Sequence, residues 1–297
     1  MAQVTRRGFL KSGMAATVLG GIGGVFPARA AKRAASDWVP LGRSGVQVTR
    51  LAFGTGTHGG SVQRNLGQEQ FTRLVRYAYD NGIRFFETAD TYHGMPEMLA
   101  AALKGIPRDT YRLMTKYNPA KPDDPKTTID QYRKELATEY VDILLIHKVN
   151  SPNWPVETKR LQDAFSEAKS DKIIMCHGAS VHGLQALRLF PGNRWLDIGM
   201  IRMNHNGTRM DTPNTFESND LGDVTEVVSH VKQVRAQGMG VISMKLVGEG
   251  RFTNPDDRQA ALNHAMNVAQ VDSVAIGFKN TAEIDEAIER MNRALNA

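Results

Sequence analysis

Short apolar runs alternate with longer amphipathic stretches along most of this chain. Each run has the length of a strand that is buried on both faces, and the stretches between the runs carry apolar residues at helical spacing. The runs predict eight strands, at residues 51–55, 85–89, 112–116, 141–147, 173–179, 198–204, 240–246 and 273–278. The intervening stretches predict eight helices, at residues 68–80, 95–104, 127–138, 156–169, 183–190, 223–237, 255–269 and 281–295.

This alternation predicts one particular α/β architecture. Strands that are separated by helices run parallel, with their carboxyl ends on one face. Gly82 follows the end of a predicted helix, and Asn280 with Glu283 has the form of a capping box. Because no linker or low-complexity run divides the repeats, we predict a single (β/α)8 TIM barrel. A hairpin at residues 38–48 is expected to close the amino-terminal end of the barrel.

The start of the chain has the pattern of an export signal. Residues 5–11 read Thr-Arg-Arg-Gly-Phe-Leu-Lys, which resembles a twin-arginine motif, and residues 28–30, Ala-Arg-Ala, have the form of a cleavage site. The apolar stretch between them, residues 14–26, is too short to span a bilayer. We therefore expect a twin-arginine signal peptide at residues 1–30, cleavage near Ala30, a barrel at residues 31–297 and a periplasmic or otherwise exported protein. The alternative is a disordered basic tail.

Removal of this leader changes the charge of the protein. Its basic residues are Arg6, Arg7, Lys11 and Arg29 and it has no acidic ones, so the formal net charge falls from +6 to +2, because 6 − 4 = 2. The basic balance therefore gives no reason to expect nucleic-acid binding. We expect contact with the twin-arginine export machinery, but no stable membrane association after cleavage. Cys176 is the only cysteine, which excludes an internal disulfide.

Four chemically active side chains lie at or just beyond the ends of predicted strands. Glu87 lies near the end of the second strand and Tyr92 just beyond it, Lys116 ends the third and His147 ends the fourth. Because the carboxyl ends of parallel strands meet on one face, the acid, phenol, ammonium and imidazole are expected to share one end of the barrel. That combination is typical of a proton-transfer site.

The segments around these residues resemble the aldo-keto reductases. Residues 41–51, Leu-Gly-Arg-Ser-Gly-Val-Gln-Val-Thr-Arg-Leu, are similar to the opening hairpin of that family. Residues 82–92, Gly-Ile-Arg-Phe-Phe-Glu-Thr-Ala-Asp-Thr-Tyr, resemble the segment with its catalytic acid and tyrosine. Lys116 after Thr115 and His147 after Leu145 and Ile146 match its lysine and histidine. The resemblance implies reduction of a small aldehyde or ketone with hydride from NADPH, with NADH as a possible alternative.

In such a reduction Tyr92 would donate the proton to the developing alkoxide. A neighbouring ammonium, Lys116, would favour the phenolate and so make Tyr92 a better acid. Glu87 would hold Lys116, although the family has aspartate at that position, and His147 would orient the carbonyl group. Asp90 is close to Glu87 in sequence, and we interpret it as a surface or capping aspartate.

The resemblance also implies a set of cofactor-binding residues. From the nicotinamide side to the adenine side they are Gly54, Thr55, Ser180, Met244, Gly248, Gly250, Lys279 and Glu286. Within this set Ser180 would bind the carboxamide, Gly248 and Gly250 the pyrophosphate, and Lys279 a 2′-phosphate. Lys279 is the residue that favours NADPH over NADH.

The chain departs from the family at three of the positions near the nicotinamide. Val181 and Met200 replace the usual asparagine and glutamine, and Met244 replaces a frequent aromatic residue. With Glu87, these departures keep open a nucleotide-binding or regulatory barrel with weak or absent catalysis. Free NADPH is also not expected outside the cytoplasm, which adds to that alternative.

A metal-dependent barrel hydrolase is the other alternative. Histidines lie near the predicted face at His58, His93, His147, His177 and His205. The chain has neither an opening His-x-His pair nor a His-Glu-x-x-His motif, so we predict no metal site.

The substrate itself does not follow from the sequence. Two long loops, at residues 118–126 and 205–222, are expected to shape the pocket. His93, Trp154 and Phe216 are candidates for lining it, although Trp154 would equally serve to anchor its own loop.

Overall fold

In the computed structural model, eight parallel strands close into a barrel. The structure describes residues 32–212 and 220–297, so the predicted signal peptide and Phe216 lie outside the described residues. The barrel strands, in the order of the chain, are β3 (Leu51–Gly54), β4 (Phe85–Glu87), β5 (Arg112–Tyr117), β6 (Val141–Val149), β7 (Ile174–Val181), β8 (Ile198–Arg202), β9 (Gly240–Met244) and β10 (Ser273–Ile276). Strand β10 pairs with β3 and closes the sheet. The predicted TIM barrel is confirmed.

Helices follow the strands on the outside of the barrel. They are α1 (Ser61–Arg64), α2 (Gln68–Asp80), α3 (Met95–Leu103), α4 (Pro125–Glu135), α5 (Trp154–Glu157), α6 (Lys159–Ser170), α7 (Leu184–Leu187), α8 (Val224–Ala236), α9 (Pro255–Asn263) and α10 (Thr281–Leu295). Tight helical turns lie at Arg108–Thr110 and Gly248–Gly250, and a wide turn lies at His264–Ala269. None of the helices in the described ranges has both the length and the apolar character to cross a membrane.

Two predicted helices are interrupted in the structure. The helix predicted at residues 156–169 divides at Thr158, whose hydroxyl donates to the Trp154 carbonyl at 2.7 Å and competes with the regular helical bonding. The helix predicted at residues 255–269 changes to the wide turn after Asn263. The predicted cap of α10 is present, since the Asn280 side chain accepts from the Glu283 amide at 3.0 Å. The Glu283 carboxylate accepts from Lys279 N at 2.9 Å.

An antiparallel hairpin fills the amino-terminal end of the barrel. Its strands β1 (Trp38–Pro40) and β2 (Gln47–Thr49) carry apolar side chains that join the cluster inside the barrel. Leu41 lies against Gly240, where a Cβ atom would come within 2.7 Å of the leucine side chain. A glycine is therefore required at this contact, and the hairpin closes this end as predicted.

The other end of the barrel is left for polar side chains. Phe85, Met114 and Leu145 point into the interior apolar cluster. Because side chains alternate along a strand, the residues two positions later also point inward, one layer closer to the carboxyl end. That layer contains Glu87, Lys116 and His147.

Candidate active site

The Lys116 ammonium lies between the Glu87 carboxylate and the Tyr92 hydroxyl. Its Nζ atom donates to the Glu87 Oε1 atom, to the Thr88 carbonyl at 2.9 Å and to the Tyr92 hydroxyl at 3.4 Å. The lysine and glutamate side chains are almost fully buried, 1% and 5% exposed. Two strands and the turn after β4 thus hold an acid, an ammonium and a phenol together, as the sequence predicts.

Tyr92 packs on a glycine that the sequence analysis does not identify. A Cβ atom on Gly56 would lie only 2.5 Å from the Tyr92 hydroxyl oxygen. This position is two residues beyond the end of β3, and a side chain there would displace the phenol. A glycine just after a strand that ends at the site is the only local indication of this contact.

His147 completes the group from the next strand. Its ring meets the Tyr92 ring edge-on, with centroids 5.7 Å apart and an interplanar angle of 84°. Its Nδ1 atom lies 3.2 Å from the Thr91 hydroxyl. Burial, followed by the charge of Lys116, holds the pKa of His147 well below its ordinary value. The imidazole is therefore neutral near pH 7, with one nitrogen that donates and one that accepts.

The pKa of Tyr92 is raised, mainly by burial and then by the charges of Glu249 and Asp90, while Arg202 opposes the change. The acidifying effect expected from Lys116 therefore does not set the pKa of Tyr92, which burial keeps above its ordinary value. Burial also lowers the pKa of Lys116 itself. At neutral pH Tyr92 keeps its proton, which is the state that a proton donor needs.

Glu87 fits at its position because the neighbouring strand has no side chain there. Its carboxylate lies over Gly54, where a Cβ atom would be 3.0 Å from Glu87 Oε2. Asp90 does not share this role. Its carboxylate accepts from the Tyr132 hydroxyl at 2.5 Å and from Asn118 N at 2.9 Å, and it is buried instead of lying on the surface as interpreted from the sequence.

Three cavities with shared lining residues surround this group. The substrate-side cavity, about 340 Å³, is lined by Tyr92 and His147. The inner cavity, about 70 Å³, is lined by Gly54, Glu87, Met200 and Met244. The outer cavity, about 410 Å³, is lined by Gly250, Lys279 and Glu286. Glu249 lines all three cavities. The shared lining residue Glu249 makes the three cavities neighbours, so a dinucleotide and a small substrate could occupy adjoining spaces.

Several of the residues expected to bind a cofactor do not line these cavities. The Thr55 hydroxyl donates to the Glu87 carbonyl at 3.0 Å, and Ser180 is buried with its hydroxyl 3.9 Å from the Met244 sulfur. Gly248 has a φ of +59° and packs beside Phe252. These three residues contact other protein groups and not the cavities, so their role here is to pack and hydrogen-bond beneath the site.

The outer cavity contains two arginines that the sequence analysis misses. Arg258 of α9 and Arg290 of α10 both donate to the Glu286 carboxylate, at 2.8 and 2.6 Å. Lys279 lies at the same cavity, exposed, with its Nζ atom 3.5 Å from Glu283. The outer cavity thus has three cations, and the carboxylates of Glu249, Glu283 and Glu286 line it as well. A phosphate group bound there would compete with Glu283 and Glu286 for these cations.

The turn expected to bind the pyrophosphate has an unexpected carboxylate. Glu249 accepts from Arg209 Nε at 3.0 Å and contacts the Lys245 ammonium. Burial acts to raise the pKa of Glu249, but these two cations outweigh it and the pKa lies below the ordinary value. This ion-pair cluster lies between the substrate-side cavity and the outer cavity.

The remaining pocket candidates have other roles. Trp154 is buried and its indole donates to the Ala186 carbonyl at 3.3 Å, which anchors its loop. His93 is exposed and its carbonyl accepts from Arg64 at 2.9 Å. Within residues 32–212 and 220–297, no group of three or more histidine, cysteine or acidic residues is placed to hold a metal ion.

Comparison with known proteins identifies the family. Residues 50–295 match the profile of the Aldo/keto reductase family. The chain belongs to this family. Its barrel is also the fold of the solved structures that match it.

The individual relatives are distant. The protein named probable aldo-keto reductase 1 of Glycine max is 27% identical over 176 residues, which cover 51% of this chain and 50% of the relative. The L-galactose dehydrogenase of Arabidopsis thaliana is 32% identical over 119 residues, 37% of each chain. The chain thus aligns with half or less of the length of these relatives.

Solved structures agree in fold. A protein from Pseudomonas aeruginosa that is described as a putative aldo-keto reductase superposes with a TM-score of 0.70 at 18% identity, covering 88% of this chain and 98% of that one. An aldo-keto reductase from Bacillus halodurans, in its holo form, gives a TM-score of 0.66 at 17% identity, with 87% and 94% coverage.

Proposed function

We propose that this protein reduces an aldehyde or ketone with NADPH, and that Tyr92 donates the proton. The observation that carries the proposal is the position of Lys116, which contacts both the Glu87 carboxylate and the Tyr92 hydroxyl beside an open cavity. A structural ion pair alone would not require a phenol and an imidazole at the same cavity wall.

The residues around the cavities fit a nicotinamide dinucleotide. Gly54, Met200 and Met244 would hold the nicotinamide end, and a methionine thioether adapts to a ring face. Arg258 and Arg290, with Lys279, would bind the phosphate that distinguishes NADPH from NADH. When bound, NADPH supplies the hydride.

Each of the four residues around the Lys116 ammonium would then have its own task in the reduction. His147, as a neutral imidazole, donates a hydrogen bond that orients the carbonyl oxygen beside Tyr92. Tyr92 transfers its proton to this oxygen as negative charge develops there. Lys116 stabilises the phenolate that remains, since an opposite charge favours the ionised form. Glu87 offsets the cost of keeping the ammonium in a buried site.

The experiment compares Tyr92→Phe with the wild-type protein and with Tyr77→Phe, whose hydroxyl bonds Asp285 on the outer surface. With a model aldehyde and NADPH, Tyr92→Phe is expected to lose about 10²–10⁴-fold in turnover, the usual contribution of a general acid. Its NADPH affinity, measured by fluorescence quenching, should stay within a few-fold. If Tyr92→Phe keeps the turnover of Tyr77→Phe, Tyr92 is not the donor.

A nucleotide-binding barrel with weak catalysis is the second candidate. Met200 and Ser180 favour it, because Met200 lines the inner cavity without a polar group and the Ser180 hydroxyl lies against the Met244 sulfur, so neither is placed to orient the nicotinamide carboxamide for hydride transfer. The same measurements separate the two functions. NADPH binding without turnover of any aldehyde by the wild-type protein would support the second candidate.

A further inference from the structure

The turn that carries Tyr92 also carries the hydrogen-bond partner of His147. Thr91 directly precedes Tyr92, lines the substrate-side cavity and places its hydroxyl oxygen 3.2 Å from His147 Nδ1. Within the described ranges this is the only hydrogen bond of the Thr91 hydroxyl and of the His147 ring. The other ring nitrogen, Nε2, is therefore left for a molecule in the cavity that His147 lines.

The backbone on both sides of Thr91 is held by hydrogen bonds. The Asp90 carboxylate, before it, accepts from Asn118 N at 2.9 Å. The Tyr92 carbonyl, after it, accepts from Met95 N at 2.8 Å at the start of α3. Because threonine is branched at Cβ, its side chain has few rotamers to choose from. The position of the hydroxyl is thus set by the fold of the turn and not by the imidazole.

Packing fixes the plane of the His147 ring but not the positions of its nitrogens. The ring lies between those of Tyr92 and His182 and meets both edge-on, with centroids 5.7 and 6.0 Å apart. A half-turn about the bond to the ring keeps this plane and exchanges Nδ1 with Cδ2 and Nε2 with Cε1. The hydrogen bond with Thr91 distinguishes the two orientations, since only a nitrogen can bond the hydroxyl.

The same bond decides which nitrogen carries the proton. The pKa of His147 lies well below its ordinary value, so the ring has a single proton near pH 7. An imidazole nitrogen is a far stronger base than a hydroxyl oxygen, so the bond is stronger when Thr91 donates to Nδ1 than when Nδ1 donates to Thr91. The proton then lies on Nε2, which can donate to a carbonyl oxygen. In the opposite tautomer Nε2 presents a lone pair, which repels that oxygen.

We propose that Thr91 is a positioning residue, whose hydroxyl donates to His147 Nδ1 and so keeps the proton on Nε2, where it meets the carbonyl oxygen of the substrate. The proposal rests on the proposed reductase function and adds a residue to it. A hydroxyl suits this task because it carries no charge, whereas a carboxylate in its place would favour the imidazolium. Thr91 and Tyr92 thus act on the same oxygen from one turn, the first through the imidazole and the second directly.

The first measurement locates the proton in the resting protein. NMR of isotopically labelled histidine distinguishes protonated from unprotonated ring nitrogens, and His147→Gln identifies the signals of His147 by their loss. His182 is an internal reference: burial keeps its pKa well below the ordinary value, and its Nδ1 atom lies 2.5 Å from Arg202 Nη2. Since a guanidinium can only donate, the proton of His182 is on Nε2. His147 is expected to show the same pattern, and a proton on its Nδ1 atom would overturn the proposal.

Three variants at Thr91 separate the hydroxyl from the bulk of the side chain. Thr91→Val removes the hydroxyl and keeps the branched shape, and the ratio of the Nε2–H to the Nδ1–H form of His147 is expected to fall at least about threefold. Thr91→Ala removes the same hydroxyl without adding bulk and should have the same effect. Thr91→Ser keeps the hydroxyl and should keep the wild-type ratio. An unchanged ratio in both Thr91→Val and Thr91→Ala would contradict the proposed role.

Kinetics test the consequence for the reaction. With a model aldehyde and NADPH, Thr91→Val is expected to lower kcat about tenfold, the loss of one hydrogen bond that matters most in the transition state, while KM stays within about threefold. Thr91→Ser should recover at least about half of the turnover. Thr72→Val, which removes a hydroxyl that accepts from Gln68 at 2.9 Å on the outer helix α2, should match the wild type. Equal losses in Thr91→Ser and Thr91→Val would show a steric role only and overturn the proposal.

The two measurements distinguish failure of this proposal from failure of the reductase function. If no aldehyde is reduced, but the proton of His147 lies on Nε2 and Thr91→Val lowers the tautomer ratio, the control of the ring by Thr91 stands without the reductase. If Tyr92→Phe abolishes turnover while Thr91→Val changes neither the ratio nor kcat, the reductase function stands and the role of Thr91 is overturned.

Discussion

Gly54 and Glu87 are paired across the ladder between β3 and β4, and the Glu87 carboxylate occupies the space that a side chain at Gly54 would fill. This relationship explains how the longer acid is accommodated beside Lys116 in a family that uses aspartate. The carboxylate leans over the glycine and still reaches the ammonium.

Glu87 is expected to tolerate shortening but not loss of charge. Glu87→Asp should preserve or raise turnover, because it restores the shorter carboxylate of the family. Glu87→Gln keeps the size but leaves the buried Lys116 without its counter-charge, so it should lose about 3–5 kcal/mol of unfolding free energy together with activity. Turnover and urea denaturation measure both effects. If Glu87→Gln matches the wild type while Asp90→Asn abolishes turnover, Asp90 is the acid.

A double-mutant cycle at the same pair tests the packing directly. Gly54→Ala places a methyl group 3.0 Å from Glu87 Oε2 and should cost about 1–3 kcal/mol of unfolding free energy, as overpacking does. In the Glu87→Asp background the shorter side chain no longer reaches the space beside residue 54, so Gly54→Ala should cost less unfolding free energy. A coupling energy of at least about 0.5 kcal/mol is expected from denaturation of the four proteins. Strictly additive effects would show that the two residues do not compete for this space.

The buried Asp211 predicts a pH dependence of stability. Its folded pKa of about 7 lies above its ordinary value of 3.8, so the folded state binds more protons between these values. Its contribution to stability is therefore full below about pH 4 and is lost as the pH rises to about 7. Asp211→Asn lacks this loss, and its unfolding free energy relative to the wild type should rise by up to about 4 kcal/mol across that window.

Asp80→Asn, at the exposed end of α2, is the control for this measurement. The informative quantity is how the difference in unfolding free energy between Asp211→Asn and the wild type changes with pH. Its absolute value also contains a second effect, because removal of Asp211 takes a counter-charge from Arg202 at every pH. A difference for Asp211→Asn that is constant from about pH 4 to about pH 7 would contradict the raised pKa.

We also propose that the protein is exported through the twin-arginine pathway. Arg6→Lys combined with Arg7→Lys should leave an uncleaved precursor in the cytoplasm, whereas Arg29→Lys, outside the arginine pair, should be exported and cleaved. Cell fractionation and the mass of the mature amino terminus, expected at Ala31, give the result. Normal export of the double variant would exclude this pathway.

The local pattern of the chain was sufficient for the barrel and for the grouping of the candidate catalytic residues. Strand periodicity places Glu87, Lys116 and His147 in one inward layer, because alternation along a strand and the parallel direction of the strands are both local consequences of the sequence. The turn that carries Tyr92 follows immediately. These residues therefore come together wherever the barrel closes.

The remaining contacts were decided only by the tertiary structure. Arg258 and Arg290 meet at Glu286 because α9 and α10 pack side by side, and Arg202 meets Asp211 because β8 and the segment after it fold together. Thr55 has a side chain that could bind a cofactor, but its hydroxyl donates to the Glu87 carbonyl on the neighbouring strand. The direction of a side chain beyond the strand ends depends on which elements pack against it. That information lies in contacts between residues far apart in the chain, which a periodic pattern does not contain.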